Sequence, residues 1–168
     1  MGARMSAEPI LVLTTGGTID KNYFDKLSEY KIVDSAIDDL LEEGRVTLPF
    51  RVVELMRKDS LELTSEDREL LCDTARTAPE SRIVVTHGTD TMTDTAKVLA
   101  GIEGKTVVLT GALSPARFAE SDASFNLGMA WATAQIAPPG VYITMSGQVF
   151  DGLKVRKDRE AGRFVPLD

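Results

Sequence analysis

What the chain lacks narrows it first. One cysteine, Cys72, occurs in 168 residues, so no internal disulfide can form, and a reducing cytoplasmic setting is the expectation. One histidine, His87, is present. A single imidazole and a single thiol give no cluster spaced for a metal. No Gly-x-Ser-x-Gly elbow accompanies that histidine, so Ser-His-Asp chemistry has no footing. Basic residues are in deficit: 19 Lys and Arg against 26 Asp and Glu, a net charge of −7. Nucleic acids and anionic membranes both need a basic footprint, so neither is an expected partner. No apolar stretch approaches the ~20 residues of a membrane span. Residues 1–9 hold no apolar core that would serve as a secretory signal. The glycines do not fall in dinucleotide spacing, and no Gly-Lys-Ser/Thr phosphate loop occurs, so no cofactor is expected.

What is present reads as one domain, residues 1–168, with residues 1–9 expected to be a disordered N-terminus. Hydrophobic content is 43% and charged content 27%, ordinary for a globular chain. Short β-branched runs at 10–13, 51–55, 83–85, 106–109 and 141–145 alternate with helical stretches. Asp34-Ser35 caps a helix over 36–43, stopped by Gly44. Thr64-Ser65-Glu66-Asp67 opens a helix that runs to about Thr77, before Pro79. Helices over 91–102 and around 124–136 follow, the latter expected to pack Phe125, Met129 and Trp131 on the sheet. This alternation predicts an α/β fold: a doubly wound, mostly parallel sheet, helices on both faces and right-handed crossovers. The tail, 151–168, is charged and weakly patterned, with Arg156, Lys157 and Arg159 clustered in it.

Two turns carry the chemistry. Leu-Thr-Thr-Gly-Gly-Thr-Ile-Asp (13–20) and Val-Thr-His-Gly-Thr-Asp-Thr-Met (85–92) each follow a buried-strand pattern. Each exchanges bulk for glycine and hydroxyls where the strand should end. Ligands of open parallel sheets sit beyond the carboxyl ends of the strands, so both turns can face one pocket. A hydroxyl nucleophile needs a base, and a lysine oriented by a carboxylate can supply one. Glycines beside the threonines let backbone N–H groups reach a developing oxyanion. The pattern suits attack on a carbonyl. His87 reads as a turn imidazole bonded to backbone, shaping the Thr89 loop.

These residues resemble the L-asparaginase family of the bacterial type I and type II kind. TTGGTI (14–19) and THGTDTM (86–92) are similar to its two signatures. DSLELT (59–64), VLTGALSP (108–115), DASFNL (122–127) and DGLKVRK (151–157) resemble later segments, in order. The resemblance implies a Rossmann-like three-layer domain that hydrolyses L-asparagine to L-aspartate and ammonia through a β-aspartyl-enzyme. It places Thr18 as nucleophile, and Thr89, Asp90 and Lys157 as the group that handles protons. Ser60 falls on the serine that binds the α-carboxylate, and Asp90 also meets the α-amine. Backbone N–H groups near Thr89 and Ala112 would stabilise the oxyanion. Tyr23 or Tyr30 would orient Thr18 from a mobile lid over residues 20–31. No metal or organic cofactor is implied.

The chain departs from that family in two ways. Typical members are about twice as long, and a smaller second domain from a neighbouring subunit supplies groups to the α-amine. Here Lys157 lies close to the end, so the chain is expected to be a short form, a homo-oligomer (dimer or tetramer) built by the sheet domain alone. Leu61 stands where many members place a polar substrate ligand after the serine. Alternatives are a glutaminase or other small-amide amidohydrolase, and a catalytically silent amino-acid-binding module.

Overall fold

The computed structural model describes residues 7–24, 29–32 and 35–168, and only the backbone of 22–24 and 29–32. In chain order the strands and helices are β1 (Ile10–Gly16), β2 (Lys21–Phe24), β3 (Glu29–Ile32), α1 (Ile37–Glu43), β4 (Phe50–Lys58), α2 (Ser65–Thr77) and β5 (Arg82–Thr86). They continue with α3 (Met92–Leu99), β6 (Thr106–Thr110), α4 (Ala123–Ile136), β7 (Gly140–Met145), β8 (Gln148–Asp151), β9 (Val155–Asp158) and β10 (Arg163–Pro166).

Six strands form one sheet in the order β4-β1-β5-β6-β7-β8. The first five run parallel and β8 returns antiparallel to β7. All seven residues of β1 are buried, because helices cover both faces and the strand therefore reads as a continuous apolar run. The chain leaves β1 toward β4, then crosses back to β5 on the other side of β1. The switch point of the sheet thus lies between β1 and β5, and a crevice opens beyond their carboxyl ends. The two threonine turns follow these two strands.

One face of the sheet packs Leu11, Leu13, Ile83, Val85, Val107 and Leu109 against Leu71 and Ala75 of α2 and Met92, Ala96 and Leu99 of α3. The other packs Ile10, Val12, Val84 and Val108 against Ile37 and Leu41 of α1 and Leu127, Ala130 and Trp131 of α4. This layering corrects the expectation of uniform crossovers. Strands β5, β6 and β7 advance in one direction, yet α3 and α4 lie on opposite faces. The β6–α4–β7 connection therefore has the opposite hand to the other three, which makes it the left-handed exception. Its loop carries residues 111–122 over the sheet edge onto the β1 turn, where the Ala116 N–H donates to the Ile19 carbonyl at 3.0 Å.

Local chemistry sets the element ends. Thr64 and Asp67 form a reciprocal capping box on α2, with Asp67 N–H to Thr64 Oγ1 at 3.2 Å and Thr64 N–H to Asp67 Oδ2 at 2.9 Å, a cap of about 1 kcal/mol. At the end of α1 the left-handed residue is Arg45, φ 50°, rather than Gly44. Ser146 and Gly147, φ 54° and 70°, make the tight β7–β8 turn. Phe125 is 63% exposed, against expectation. The face of α4 toward the sheet is set by Ala123, Leu127, Ala130 and Ala134, and position 125 falls on the opposite side of the cylinder.

Two hairpins lie outside the sequence pattern. β2 and β3 pair antiparallel with Tyr23 opposite Tyr30. β9 and β10 form a second ribbon from the weakly patterned tail. Phe164 of that ribbon is fully buried among the α2/α3 core, worth about 2–3 kcal/mol of apolar burial.

A row of threonines crosses the carboxyl edge of the sheet. Thr14, Thr86, Thr110 and Thr144 are register partners on β1, β5, β6 and β7, all buried. Thr110 donates to the Thr144 carbonyl at 2.8 Å. The hydroxyls of Thr14 and Thr86 have no hydrogen-bond partner among the described residues.

Candidate active site

The two signature turns meet backbone to backbone. Gly17 has φ 88° and ψ −176°, a region open essentially to glycine. A Cβ there would stand 2.5 Å from the Gly88 nitrogen and 2.6 Å from its Cα. A Cβ on Gly88 would in turn stand 2.6 Å from Ser60 Cβ and 2.7 Å from Ser60 Oγ. Gly88 is thus pressed between the first turn and the serine turn after β4. Thr18, half-buried, opens the 3-10 turn Thr18–Asp20 directly beyond this contact. A cleft of about 300 Å³ lies beside it, lined by Thr18, Lys21, Leu113, Ser114, Pro115 and Phe118.

Ser60 is held through its side chain and its backbone carbonyl. Thr91 donates its N–H to Ser60 Oγ at 3.3 Å and its hydroxyl to the Ser60 carbonyl at 2.8 Å. Lys21 Nζ reaches Asp59 Oδ2 at 2.9 Å, tying β2 to the serine turn. Burial pushes the Asp59 carboxyl up, but the Lys21 ammonium and the N–H groups of Leu61 and Ser60 outweigh it, leaving it below the ordinary carboxylate range.

Lys157 supplies the cation. Its Nζ donates to Thr89 Oγ1 and to Asp90 Oδ1, both at 2.8 Å. Lys157 is 17% exposed and Asp90 33%, so the pair is partly withdrawn from bulk water. A lysine with one proton engaged by a carboxylate and another by a hydroxyl can orient that hydroxyl and relay its proton. Arg159 Nη2 stands 3.9 Å from the same Asp90 oxygen.

A buried relay fixes the second turn from below. Arg68 Nε donates to Thr95 Oγ1 at 3.0 Å, and Thr95 Oγ1 lies 2.7 Å from His87 Nε2. His87 Nδ1 is 2.6 Å from the Gly88 carbonyl. A carbonyl only accepts, so Nδ1 carries the proton and Nε2 accepts from Thr95. Burial holds His87 neutral, its pKa lowered to about 4. Arg68 also reaches Thr91 Oγ1 at 2.9 Å and the Leu63 carbonyl at 3.0 Å. One guanidinium therefore braces both the Ser60 turn and the Thr89 turn. Ala112 follows Gly111, where an added Cβ would run into the His87 carbonyl oxygen. Asn126 Nδ2 donates to the Gly111 carbonyl at 2.9 Å. The Ala112 turn is thereby packed on the His87 turn.

Asp20 closes the first turn. Its Oδ1 accepts from Ala36 N–H at 2.9 Å and from Ser35 Oγ at 3.0 Å. These bonds clasp the base of the β2–β3 excursion. Burial raises the Asp20 carboxyl above its ordinary range despite both bonds.

The structure therefore gathers Thr18, Ser60, Thr89, Asp90, Ala112 and Lys157 at one edge of the sheet. The side chains of Tyr23 and Tyr30 lie outside the described residues. Sequence reasoning missed Lys21, Arg68, Thr91 and Thr95. The one available signal was the i, i+4 spacing of Thr91 and Thr95 on one face of the helix start. A further groove of about 460 Å³ between α1 and α4 is lined by Leu40, Val46, Leu127 and Trp131 and holds none of these groups. Among the described residues, no helix is long and apolar enough to cross a membrane and no cluster of His, Cys, Asp or Glu could hold a metal ion.

The sequence and fold have counterparts. Residues 9–163 match the family model described as Asparaginase, N-terminal. The L-asparaginase of Thermococcus kodakarensis is 31% identical over 162 residues, covering 91% of this chain and 48% of that protein. L-asparaginase 2 of Escherichia coli is 29% identical over 172 residues, covering 93% and 48%. The crystal structure of L-asparaginase I from Vibrio cholerae superposes with a TM-score of 0.82 at 27% identity, over 95% of this chain and 51% of that one. The chain spans about half the length of the relatives it matches.

Proposed function

The chain belongs to the asparaginase family, and from that premise we propose that it hydrolyses the side-chain amide of L-asparagine to L-aspartate and ammonia. The observation that carries this reading is Lys157 Nζ at 2.8 Å from both Thr89 Oγ1 and Asp90 Oδ1, beside the Gly17–Gly88 contact that brings Thr18 to the same edge.

In the proposed reaction Thr18 Oγ attacks the amide carbonyl carbon. The oxygen that gains charge is met by backbone N–H groups of the Thr89 and Ala112 turns. The hydroxyl proton passes toward the leaving nitrogen through the Thr89–Lys157–Asp90 group, the C–N bond breaks and ammonia departs. A water then adds to the β-aspartyl ester, its proton returns to Thr18 Oγ, and aspartate is released. Ser60 holds the α-carboxylate and Asp90 faces the α-amine. Tyr23 or Tyr30 orients Thr18 from the β2–β3 hairpin, which acts as the lid.

The test is ammonia release from L-asparagine and L-glutamine by the wild type, Thr18→Ala, Thr89→Val and Lys157→Met, each checked for native circular dichroism. Each variant should lose at least about 10²-fold in kcat. Thr89→Val with Lys157→Met should lose little more than either alone, since groups acting as one unit are not additive. A folded wild type that releases no ammonia from either amide overturns the reading. Full rate in Thr18→Ala overturns the choice of nucleophile.

A further inference from the structure

We propose that Asn126 and Arg68 are positioning residues of the hydrolytic site: each aims, from behind, one of the two peptide units whose N–H groups meet the oxyanion. The proposal rests on amide hydrolysis at Thr18 and names what holds its donors in place.

The two peptides are built alike. One joins Gly88 to Thr89, and its carbonyl accepts from His87 Nδ1 at 2.6 Å. The other joins Gly111 to Ala112, and its carbonyl accepts from Asn126 Nδ2 at 2.9 Å. Neither is cis, so in each the N–H points opposite to the carbonyl. The Thr89 and Ala112 N–H groups are therefore directed away from His87 and Asn126. Both residues are buried, at 7% and 1% exposure. Among the described residues neither N–H donates to an acceptor. Buried N–H groups without an acceptor are rare in folded proteins, and two of them beyond adjacent strands suit one oxygen that gains charge. A hydrogen bond to the carbonyl also polarises its peptide and makes the N–H a better donor.

Each anchor works in one direction. Arginine has donors and no acceptor. Arg68 Nε donates to Thr95 Oγ1 at 3.0 Å, which leaves the Thr95 proton for His87 Nε2 at 2.7 Å. The neutral imidazole then carries its own proton on Nδ1, against the Gly88 carbonyl. A second Arg68 nitrogen donates to Thr91 Oγ1 at 2.9 Å, which leaves the Thr91 proton for the Ser60 carbonyl. Asn126 is fixed by two acceptors, the Gly111 carbonyl and Asp122 Oδ2, each 2.9 Å from Nδ2. Asp122 accepts in turn from the Leu113 and Ser114 N–H groups at 3.0 Å. The start of α4 thus grips the chain on both sides of Ala112.

The experiment measures kcat and KM for ammonia release from L-asparagine and L-glutamine by the wild type, Arg68→Met, Arg68→Lys, Asn126→Leu and Thr133→Val, with the amide proton–nitrogen NMR spectrum of each. Arg68→Met and Asn126→Leu should each lower the kcat of the better substrate by at least about tenfold, the loss falling mainly on kcat, because a misaimed donor fails in the transition state. Arg68→Lys keeps a donor at this place and should recover part of the rate. Thr133→Val removes another buried hydroxyl of α4 and should leave kcat unchanged. In the spectra Arg68→Met should move the Thr89 amide nitrogen upfield and Asn126→Leu the Ala112 nitrogen, as each peptide loses the bond that polarises it. A folded Arg68→Met or Asn126→Leu protein that keeps kcat within about twofold of the wild type, or that loses efficiency through KM alone, overturns the proposal. So does an equal loss in Thr133→Val. If Asn126→Leu does not fold, the two Arg68 variants decide. A wild type that releases no ammonia from either amide overturns the hydrolase reading and this proposal with it, whereas the other failures are seen against an active wild type.

Discussion

Replacing Gly17 by alanine tests whether the two signature turns share one site. Two costs add at this position. At φ 88° and ψ −176° an L side chain is strained by about 1–3 kcal/mol. The new Cβ also lands 2.5 Å from the Gly88 nitrogen, 2.6 Å from its Cα and 3.0 Å from the His87 carbonyl carbon. All three are backbone atoms and cannot rotate aside, so overpacking adds about 1–3 kcal/mol. The sum, roughly 2–6 kcal/mol, is a large part of the ~5–15 kcal/mol that holds a domain together. Two controls separate the terms. Gly162 has φ 60° and nothing within 4 Å of an added Cβ, so Gly162→Ala carries the dihedral cost alone, about 1–2 kcal/mol. Gly128 lies inside α4 with open space around it, so Gly128→Ala should stabilise by up to about 1 kcal/mol. Urea unfolding gives all three values, and ammonia release per folded molecule gives the functional effect. A Gly17→Ala protein no less stable than Gly162→Ala, with unchanged turnover, would refute the contact between the turns.

Three further outcomes follow from buried groups. His87 is neutral in the fold with a pKa near 4, against ~6.5 when unfolded. The unfolded chain therefore binds that proton first. Its contribution to stability is whole above pH 6.5 and falls by up to about 3 kcal/mol as the pH drops to 4, so His87→Gln should flatten the stability curve in that window. An unchanged slope sinks the assignment. Thr86→Val removes a buried hydroxyl without a partner and should be neutral or stabilising by up to about 1 kcal/mol. Thr110→Val loses the bond to the Thr144 carbonyl and should cost about 1–2 kcal/mol; the reverse order in calorimetry contradicts the threonine row. Lys21→Met should change stability by under about 1 kcal/mol, as expected for a partly exposed pair. It should raise the Asp59 pKa seen by carbon NMR, since burial then acts with less opposition; a fixed titration excludes that pair.

Strands β1, β5, β6 and β7 were legible because burial leaves largely apolar runs, β4 by its β-branched Val52-Val53 although it lies half-exposed at the sheet edge, and the four helices because caps and breakers flank them in the sequence. The two threonine turns were legible because glycine and hydroxyls replace bulk at strand ends. The opposite hand of the β6–α4–β7 connection was not, since no residue pattern tells which face a helix will cover. The tail ribbon was hidden for a related reason. Its strands are four residues long, and its one deep anchor, Phe164, has no periodic neighbours. Among site residues, Lys157 was reached through resemblance, while Arg68 was not reached at all. Arg68 acts through Thr91 and Thr95, and such a bridge exists only once α2 lies across the start of α3.

The ribbon also sets how the protein will fail. Lys157 is displayed by two four-residue strands tied to the body by Phe164, Val155 and the bond from Phe164 N–H to Ser146 Oγ. The Thr89 hydroxyl and Asp90 that it contacts belong to the turn that follows β5 of the six-stranded sheet. A short ribbon opens at a lower free energy than the sheet it rests on. Warming therefore detaches the lysine while the sheet is still native. The proposed ammonia release should therefore fall reversibly before the sheet melts, in step with amide exchange over residues 155–166.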